Sequence, residues 1–572
     1  MKRVFSYLFP FRYRMAAGFL IKVLGTLAEL LLPVVLTHIL KTVIKSENVR
    51  EVLLWGALML LFAILACAFN IIANRMAATV GKRFSETLRR DLFYRTLTLD
   101  TAQTDAFTIP SLESRITTDT YHVHNFVMMI QRMGIRAPIL LLGGVVITLL
   151  MDSTLALVML AVMPLIFVTV YTLSRLGIRL YSRVQSSVDG LVRVLREDYV
   201  GIRVIKALSK ESHEQERFEN ANCQLSNHEQ TASFIMGSTH PVMNLFMNCG
   251  IAAVTALAAL RVSEGTSDAE TVVAFMQYFT LISMALMAVS RMFVMFSKCT
   301  ASARRLCEVL EAPAVILPEK CEEDGNTEDF ITFRGVTFSY AGRKKDLEDI
   351  SISIPYGSSF GIIGGTGSGK STLIKLLLRF YDANAGEILF RGKSIRAYTR
   401  EEIAESVGVA HQKDFLYAVS VEENVRFGRD ISRDEVLKAL RIAQAEEFVL
   451  ALPNGLDTVL ATGGTNLSGG QRQRLLIARA VAGTPDLLIL DDASSALDYK
   501  TDAALRAALR ELGDTVTTIT VAQRASSVMG CDRILVLDEG RCVGYGTHAQ
   551  LLESCPVYRE ISDSQMGGAL FE

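Results

Sequence analysis

The stretch "FGIIGGTGSGKSTLIKLLLRF", Phe360–Phe380, sets an apolar run, a glycine-rich loop and an amphipathic run end to end. Read as strand, loop and helix, it places Gly364, Gly365, Thr366, Gly367, Ser368, Gly369, Lys370, Ser371 and Thr372 in the pattern of a phosphate-binding loop. The glycines let backbone N–H groups turn inward around phosphate oxygens, and the following helix N-terminus adds partial positive charge. Lys370 then reaches the terminal phosphates, and Ser371 offers its hydroxyl to Mg²⁺. A glycine-rich turn that merely caps a helix is the competing reading. It leaves unexplained why every fixed position is filled in the required setting. ATP and Mg²⁺ are the expected small molecules.

Away from this loop the composition divides the chain. Its 572 residues are 50% hydrophobic with a mean hydropathy of +0.30, too apolar for an ordinary soluble protein, and the length predicts several domains. A net charge of −1 gives no reason to expect nucleic acid as a partner. The nine cysteines are scattered from Cys67 to Cys555 without a CxxC pair, which fits a reducing compartment and no structural metal site. Of the 20 methionines, only Met529 and Met566 lie beyond residue 310.

The methionine-rich half reads as membrane. Apolar segments near residues 15–40, 52–76, 128–150, 154–175, 234–260 and 270–297 each reach the roughly 20 residues that a spanning helix needs. The leading "MKRVFSYLFPFRYR" is basic and aromatic without a small-residue cleavage site, so it reads as an interfacial helix rather than a leader. Lys82, Arg83, Arg89, Arg90 and Arg95 follow the second span, and Arg175, Arg179 and Arg183 follow the fourth. The turn after the third span holds only Asp152, and "RVSEGTSDAE" after the fifth is acidic. Lys41, Lys45 and Arg50 after the first span run against this pattern. The balance puts both long basic segments and both termini in the cytoplasm. The expected layout is a transmembrane domain over 1–310, a linker over 311–328 and a nucleotide-binding domain over 329–572. The linker is the Pro- and acid-containing "EAPAVILPEKCEEDGNTEDF", and strand-like alternation begins at "ITFRGVTFSY".

Further along, "NLSGGQRQRLLIARA" carries Leu467, Ser468, Gly469, Gly470 and Gln471, and "DLLILDD" ends on Asp491 and Asp492. Ser468 with Gln471 also fits a helix capping box, so that motif alone has a bland reading. The order of the three motifs within one domain defeats it. The chain resembles a half-transporter of the ABC exporter superfamily, in which six transmembrane helices are fused to one α/β P-loop nucleotide-binding domain with a helical subdomain. The resemblance covers essentially the whole chain and implies a multi-pass protein of the bacterial cytoplasmic membrane.

In that family two such domains meet head to tail, and each ATP lies between one phosphate loop and the opposite LSGGQ. The resemblance therefore implies a second half-transporter as partner. It assigns Tyr340 to stacking on adenine and Gln412 to sensing Mg²⁺, which Ser371 and Asp491 also hold. "SALD", Ser495–Asp498, corresponds to the loop that touches the opposite site, and "PSLESRITTD" and "GIRVIKALSKESHEQERF" to two cytoplasmic loops that dock on the nucleotide-binding domains.

Three positions depart from the family. Asp492 stands where a glutamate activates the attacking water, and is one methylene shorter. A general base must come within roughly 2.6–3.2 Å of its proton's donor atom, so that deficit is large. Gln523, in "VAQR", stands for a histidine at the γ-phosphate and cannot carry an imidazolium's charge. Thr462, in "LATGGTN", stands for a glutamate. Hydrolysis at this chain's own loop is expected to be slow, while its LSGGQ completes a competent site on a partner. The expected function is ATP-driven export of hydrophobic or amphipathic compounds as half of a heterodimer. A dedicated peptide or lipid exporter, a siderophore-type importer and an ATP-gated channel share the same motifs.

For cargo the sequence offers Met236, Met243, Met247, Met276, Met284, Met287, Met292 and Met295 on the last two spans, soft side chains that suit varied ligands. Asn244 and Asn248 share a helix face, and Glu29 with Lys22 reads as an ionisable pair inside the first span.

Overall fold

The computed structural model describes residues 1–264, 269–313, 318–319, 329–340, 345–412, 414–493 and 496–566. Among these residues, six helical segments are long and apolar enough to cross a membrane: Lys2–Ser46, Val49–Leu97, Ile109–Met151, Ser153–Ala207, Glu211–Ser263 and Glu270–Leu310. The helices outrun the apolar stretches because polar, helix-favouring sequence continues the same hydrogen-bond ladder at one end of each. The chain divides into two compact units, residues 1–98 with 107–312, and residues 99–106 with 313–572. Most of the expected linker, 311–328, lies outside the described residues.

In the first unit, the apolar core joins Leu30, Met159, Met243, Tyr278, Phe279 and Ile282. Fully buried Tyr278 donates its hydroxyl to the Leu30 carbonyl at 2.6 Å, so no polar group is orphaned at that depth. The segment "PSLESRITTD" forms a short helix, Ile109–Ser114, and a widened turn, Arg115–Asp119, inside this unit. There the buried Asp119 carboxylate takes Ser302 at 2.8 Å and the Arg305 guanidinium. The segment grouped with the second unit lies just upstream: in the short helix Thr101–Phe107, Asp105 accepts the Tyr381 hydroxyl. In "GIRVIKALSKESHEQERF" the structure has no separate short helix. One helix ends at Ala207, Ser209 turns at φ +50°, and the next begins at Glu211.

Among the described residues the second unit contains ten strands: β1 Ile331–Phe338, β2 Leu347–Ile354, β3 Ser359–Ile363, β4 Ala385–Phe390, β5 Lys393–Ser394, β6 Val407–Ala410, β7 Leu487–Asp491, β8 Thr517–Ala522, β9 Arg533–Asp538 and β10 Arg541–Gly546. An antiparallel sheet runs β2-β1-β4-β5, and a second sheet runs β10-β9-β3-β8-β7-β6. In the latter, β9, β3, β8, β7 and β6 are mutually parallel. Every residue of β7 is buried, as expected of a parallel strand covered on both faces. A separate apolar core gathers the helices Val421–Arg426, Arg433–Ile442 and Gly469–Val481 into a helical subdomain.

Candidate functional site

Parallel pairing carries the carboxyl ends of four strands to one edge, where open α/β sheets bind ligands. The phosphate loop follows β3, Gln412 follows β6, Asp491 ends β7 and Gln523 follows β8. Register does the fine placement. Ile363 pairs with Ala522 and Asp491 with Val521, so Asp492 and Gln523 emerge side by side. The resulting cavity, about 290 Å³, is lined by Thr366, Gly367, Gly369, Lys370, Ser371, Thr372, Gln412, Asp491, Asp492 and Gln523.

Inside it, the Lys370 ammonium donates to the Gly364 and Gly365 carbonyls at 2.8 and 2.7 Å. Burial lowers its pKa, against the pull of Asp491 and Asp492. Burial raises that of Asp491, whose carboxylate lies 3.4 Å from the Ser371 hydroxyl. Asp492 takes a left-handed φ of +52°, and its carboxylate accepts the side-chain amides of Gln412 at 2.9 Å and Gln523 at 3.4 Å.

The donor set suits a nucleotide. A Cβ on Gly364 would lie 2.1 Å from the Leu537 carbonyl, and Gly369 has φ +98° with the Asp346 carbonyl 2.9 Å from its notional Cβ. On the open side, a Cβ on Gly365 or Gly367 would meet nothing within 4 Å, which leaves that backbone accessible. Among the described residues the buried Ser368 hydroxyl has no partner, and no side chain caps the helix that begins at Lys370. Among the described residues no group of three His, Cys, Asp or Glu could hold a metal by itself. A magnesium ion at Ser371 and Asp491 would thus draw most of its ligands from phosphate and water, as Mg²⁺ commonly does.

Tyr340 is 44% exposed, and its hydroxyl donates to Thr372 at 3.3 Å. Its ring meets Phe338 and Tyr381 edge-on, with the Lys375 ammonium 5.2 Å from its centroid. Asp346 also lines the cavity and holds the Tyr340 N–H at 3.0 Å. Nothing in "KKDLEDI" announced it, because it reads as the start of a strand.

The remaining expected site residues lie outside this cavity. Ser468 caps the helix Gly469–Val481 in a reciprocal box with Gln471, at 3.2 and 3.0 Å. Ser468→Ala should therefore cost about 1 kcal/mol and lower the thermal midpoint by about 2–4 °C, read by calorimetry. A Cβ on Gly469 would meet nothing within 4 Å, and one on Gly470 meets the Ala496 carbonyl at 3.2 Å. Asp498 caps the helix Tyr499–Arg510 through the Thr501 N–H at 2.9 Å, and Ser495 is outside the described residues. Leu467 packs against the helical core.

In the membrane unit the expected Glu29–Lys22 pair is not formed. Glu29 makes a two-point ion pair with Arg136, at 2.6 and 3.1 Å, and Lys22 donates to Asn70 and Asn74 at 2.7 and 3.2 Å. Two residues seven apart share a helix face, yet the nearer partners sit on neighbouring helices. A second cavity, about 1040 Å³, is lined by Met236, Met287 and Met295 with His240, Arg291 and Lys298 among others. Asn244 and Asn248 do not line it, and Asn244 instead bonds His240 at 3.1 Å.

Residues 15–286 match the family described as ABC transporter transmembrane region, and residues 347–495 that described as ABC transporter. An uncharacterized ABC transporter ATP-binding protein of Mycobacterium tuberculosis is 35% identical over 97% of this chain and 96% of its own length. The ABC transporter ATP-binding protein YfiB of Bacillus subtilis is 33% identical over 99% of each chain. The ATP-dependent lipid A-core flippase of Mannheimia succiniciproducens is 28% identical over 99% of this chain and 97% of its own. A solved bacterial Atm1-family ABC exporter with ATP bound superposes with a TM-score of 0.81, covering 96% of this chain and 98% of that one. Its 24% identity speaks for the fold alone.

Proposed function

The chain belongs to the ABC transporter family, as a half-transporter joining six membrane helices to one ATP-binding domain, and on that premise we propose that it exports hydrophobic or amphipathic compounds as one subunit of a heterodimer. The observation that carries this reading is the setting of Asp492. Its short carboxylate is engaged by two amides, from Gln412 and Gln523, and no imidazole lines the cavity among the described residues. Such a site is equipped to hold ATP and poorly equipped to split it. The phosphate-loop amides and Lys370 bind the phosphates, Tyr340 offers a face to the base, and Asp492 orients water weakly. Mg²⁺, when bound through Ser371, Asp491 and Gln412, supplies charge neutralisation on the phosphates.

The open face at Gly469 supports a partner. Among the described residues nothing fills the space where a side chain would stand, so packing among them does not demand glycine there. A phosphate approaching the N-terminus of the helix Gly469–Val481 from another subunit does demand it. The thioether-lined cavity supports an amphipathic cargo, since methionine adapts to varied shapes. The flippase named among the relatives is consistent with lipid-like cargo. The test is ATP-dependent accumulation of anionic, neutral and cationic amphipathic dyes in inside-out vesicles holding both subunits. Accumulation of at least one class is expected. ATP turnover with no accumulation of any class overturns the export reading.

A further inference from the structure

The first three spans line an open cavity of about 570 Å³ that holds Lys22, Glu29, Arg132 and Arg136. Its charges do not balance. Glu29 neutralises Arg136, and Lys22, only 4% exposed, is solvated by the neutral amides of Asn70 and Asn74. Arg132 forms no ion pair among the described residues, and its buried Nε has no acceptor. Among the described residues Glu29 is the only acidic one lining the cavity, so three cations face one carboxylate. Along the third span, at roughly 1.5 Å per residue, Arg136 lies about 24 Å from the Asp152 turn, inside a hydrocarbon layer about 30 Å thick, and Arg132 about 30 Å from it, at that layer's edge. Charges held within or at the rim of such a layer mark ligand pathways.

We propose that this cavity binds the anionic headgroup of an amphiphile, a phosphate or carboxylate bearing an apolar tail, with Arg132 and Lys22 as its counter-charges. A guanidinium presents paired donors that match such oxygens, and a phosphate monoester carries about the two negative charges the cavity lacks. Leu32, Ala63, Ala66 and Met133 supply the apolar wall that a free phosphate ion could not use. The larger membrane cavity has the same sign, with Arg291 and Lys298 and, among the described residues, no acidic group in its lining. The inference builds on the export reading by naming a ligand class. Its test needs neither ATP nor turnover, so the two can fail separately.

The experiment is native mass spectrometry of the full chain with dioctanoyl phosphatidic acid, dioctanoyl phosphatidylcholine and inorganic phosphate. Phosphatidic acid is expected to bind about tenfold or more tightly than phosphatidylcholine, and inorganic phosphate not to compete. Arg132→Gln should weaken phosphatidic acid by about tenfold or more, the scale of a charge-assisted hydrogen bond, and Arg132→Lys should retain most of the affinity. As a check free of substitution, phosphatidic acid should slow maleimide labelling of Cys67, which lines the cavity and is exposed. Equal binding of the two lipids, an unchanged affinity in Arg132→Gln, unprotected Cys67, or equal competition by inorganic phosphate overturns the proposal.

Discussion

In the heterodimer proposed above, Gly469→Asp should reduce phosphate release at saturating ATP by about 10³-fold or more, whereas Asp492→Asn should lower it only modestly. The first figure follows from charge. At about 4 Å and an effective dielectric near 20, two like unit charges repel by about 4 kcal/mol, and each 1.4 kcal/mol is about tenfold. Misfolding cannot supply the effect. The space at Gly469 is open among the described residues, and an aspartate in the first turn of the helix Gly469–Val481 favours the helix. Asp492→Asn removes a base that is already short and engaged by Gln412 and Gln523. On the heterodimer reading Lys370→Ala should fall between the two, because it weakens nucleotide at a site proposed to help hold the dimer together. Phosphate release and bound nucleotide measured in parallel decide it. If Asp492→Asn abolishes hydrolysis while Gly469→Asp is tolerated, the two sites are assigned the wrong way round.

What the sequence could and could not convey follows from the range of each interaction. The phosphate loop and the six spans are local patterns, legible from spacing and hydropathy within a few turns of chain. That Lys370, Gln412, Asp491, Asp492 and Gln523 meet was legible only through the resemblance, since strand order and register bring them together across 154 residues. Where an interaction crosses between helices without a motif, the reading went wrong. Helical periodicity paired Glu29 with Lys22, whereas the true partner is Arg136, one of two arginines conspicuous in the third apolar span. Likewise the segment grouped with the nucleotide-binding unit is Leu99–Ala106, just before the stretch that drew attention. Neither Asp346 nor the two amides on Asp492 left any local trace.

Purified without a partner, the chain should release phosphate near background, and co-assembly with a half-transporter bearing glutamate and histidine at the corresponding positions should raise the rate by about 10²–10⁴-fold, the usual worth of a positioned general base. The physical reason lies in reach and charge. Extending Asp492 by one methylene moves the carboxylate out by up to about 1.5 Å, a large step on the hydrogen-bond scale. Replacing Gln523 by histidine allows a cation where the amide donates only a neutral hydrogen bond. The same logic gives a test without the partner: Asp492→Glu combined with Gln523→His should raise phosphate release by the isolated chain far more than either change alone. Glutamate accepts the left-handed φ of +52° at Asp492 less readily than aspartate does, a modest cost, and both side chains already line the cavity beside Lys370. Robust cooperative hydrolysis by the unmodified chain alone would sink the heterodimer reading, since two sites built on Asp492 and Gln523 would then suffice.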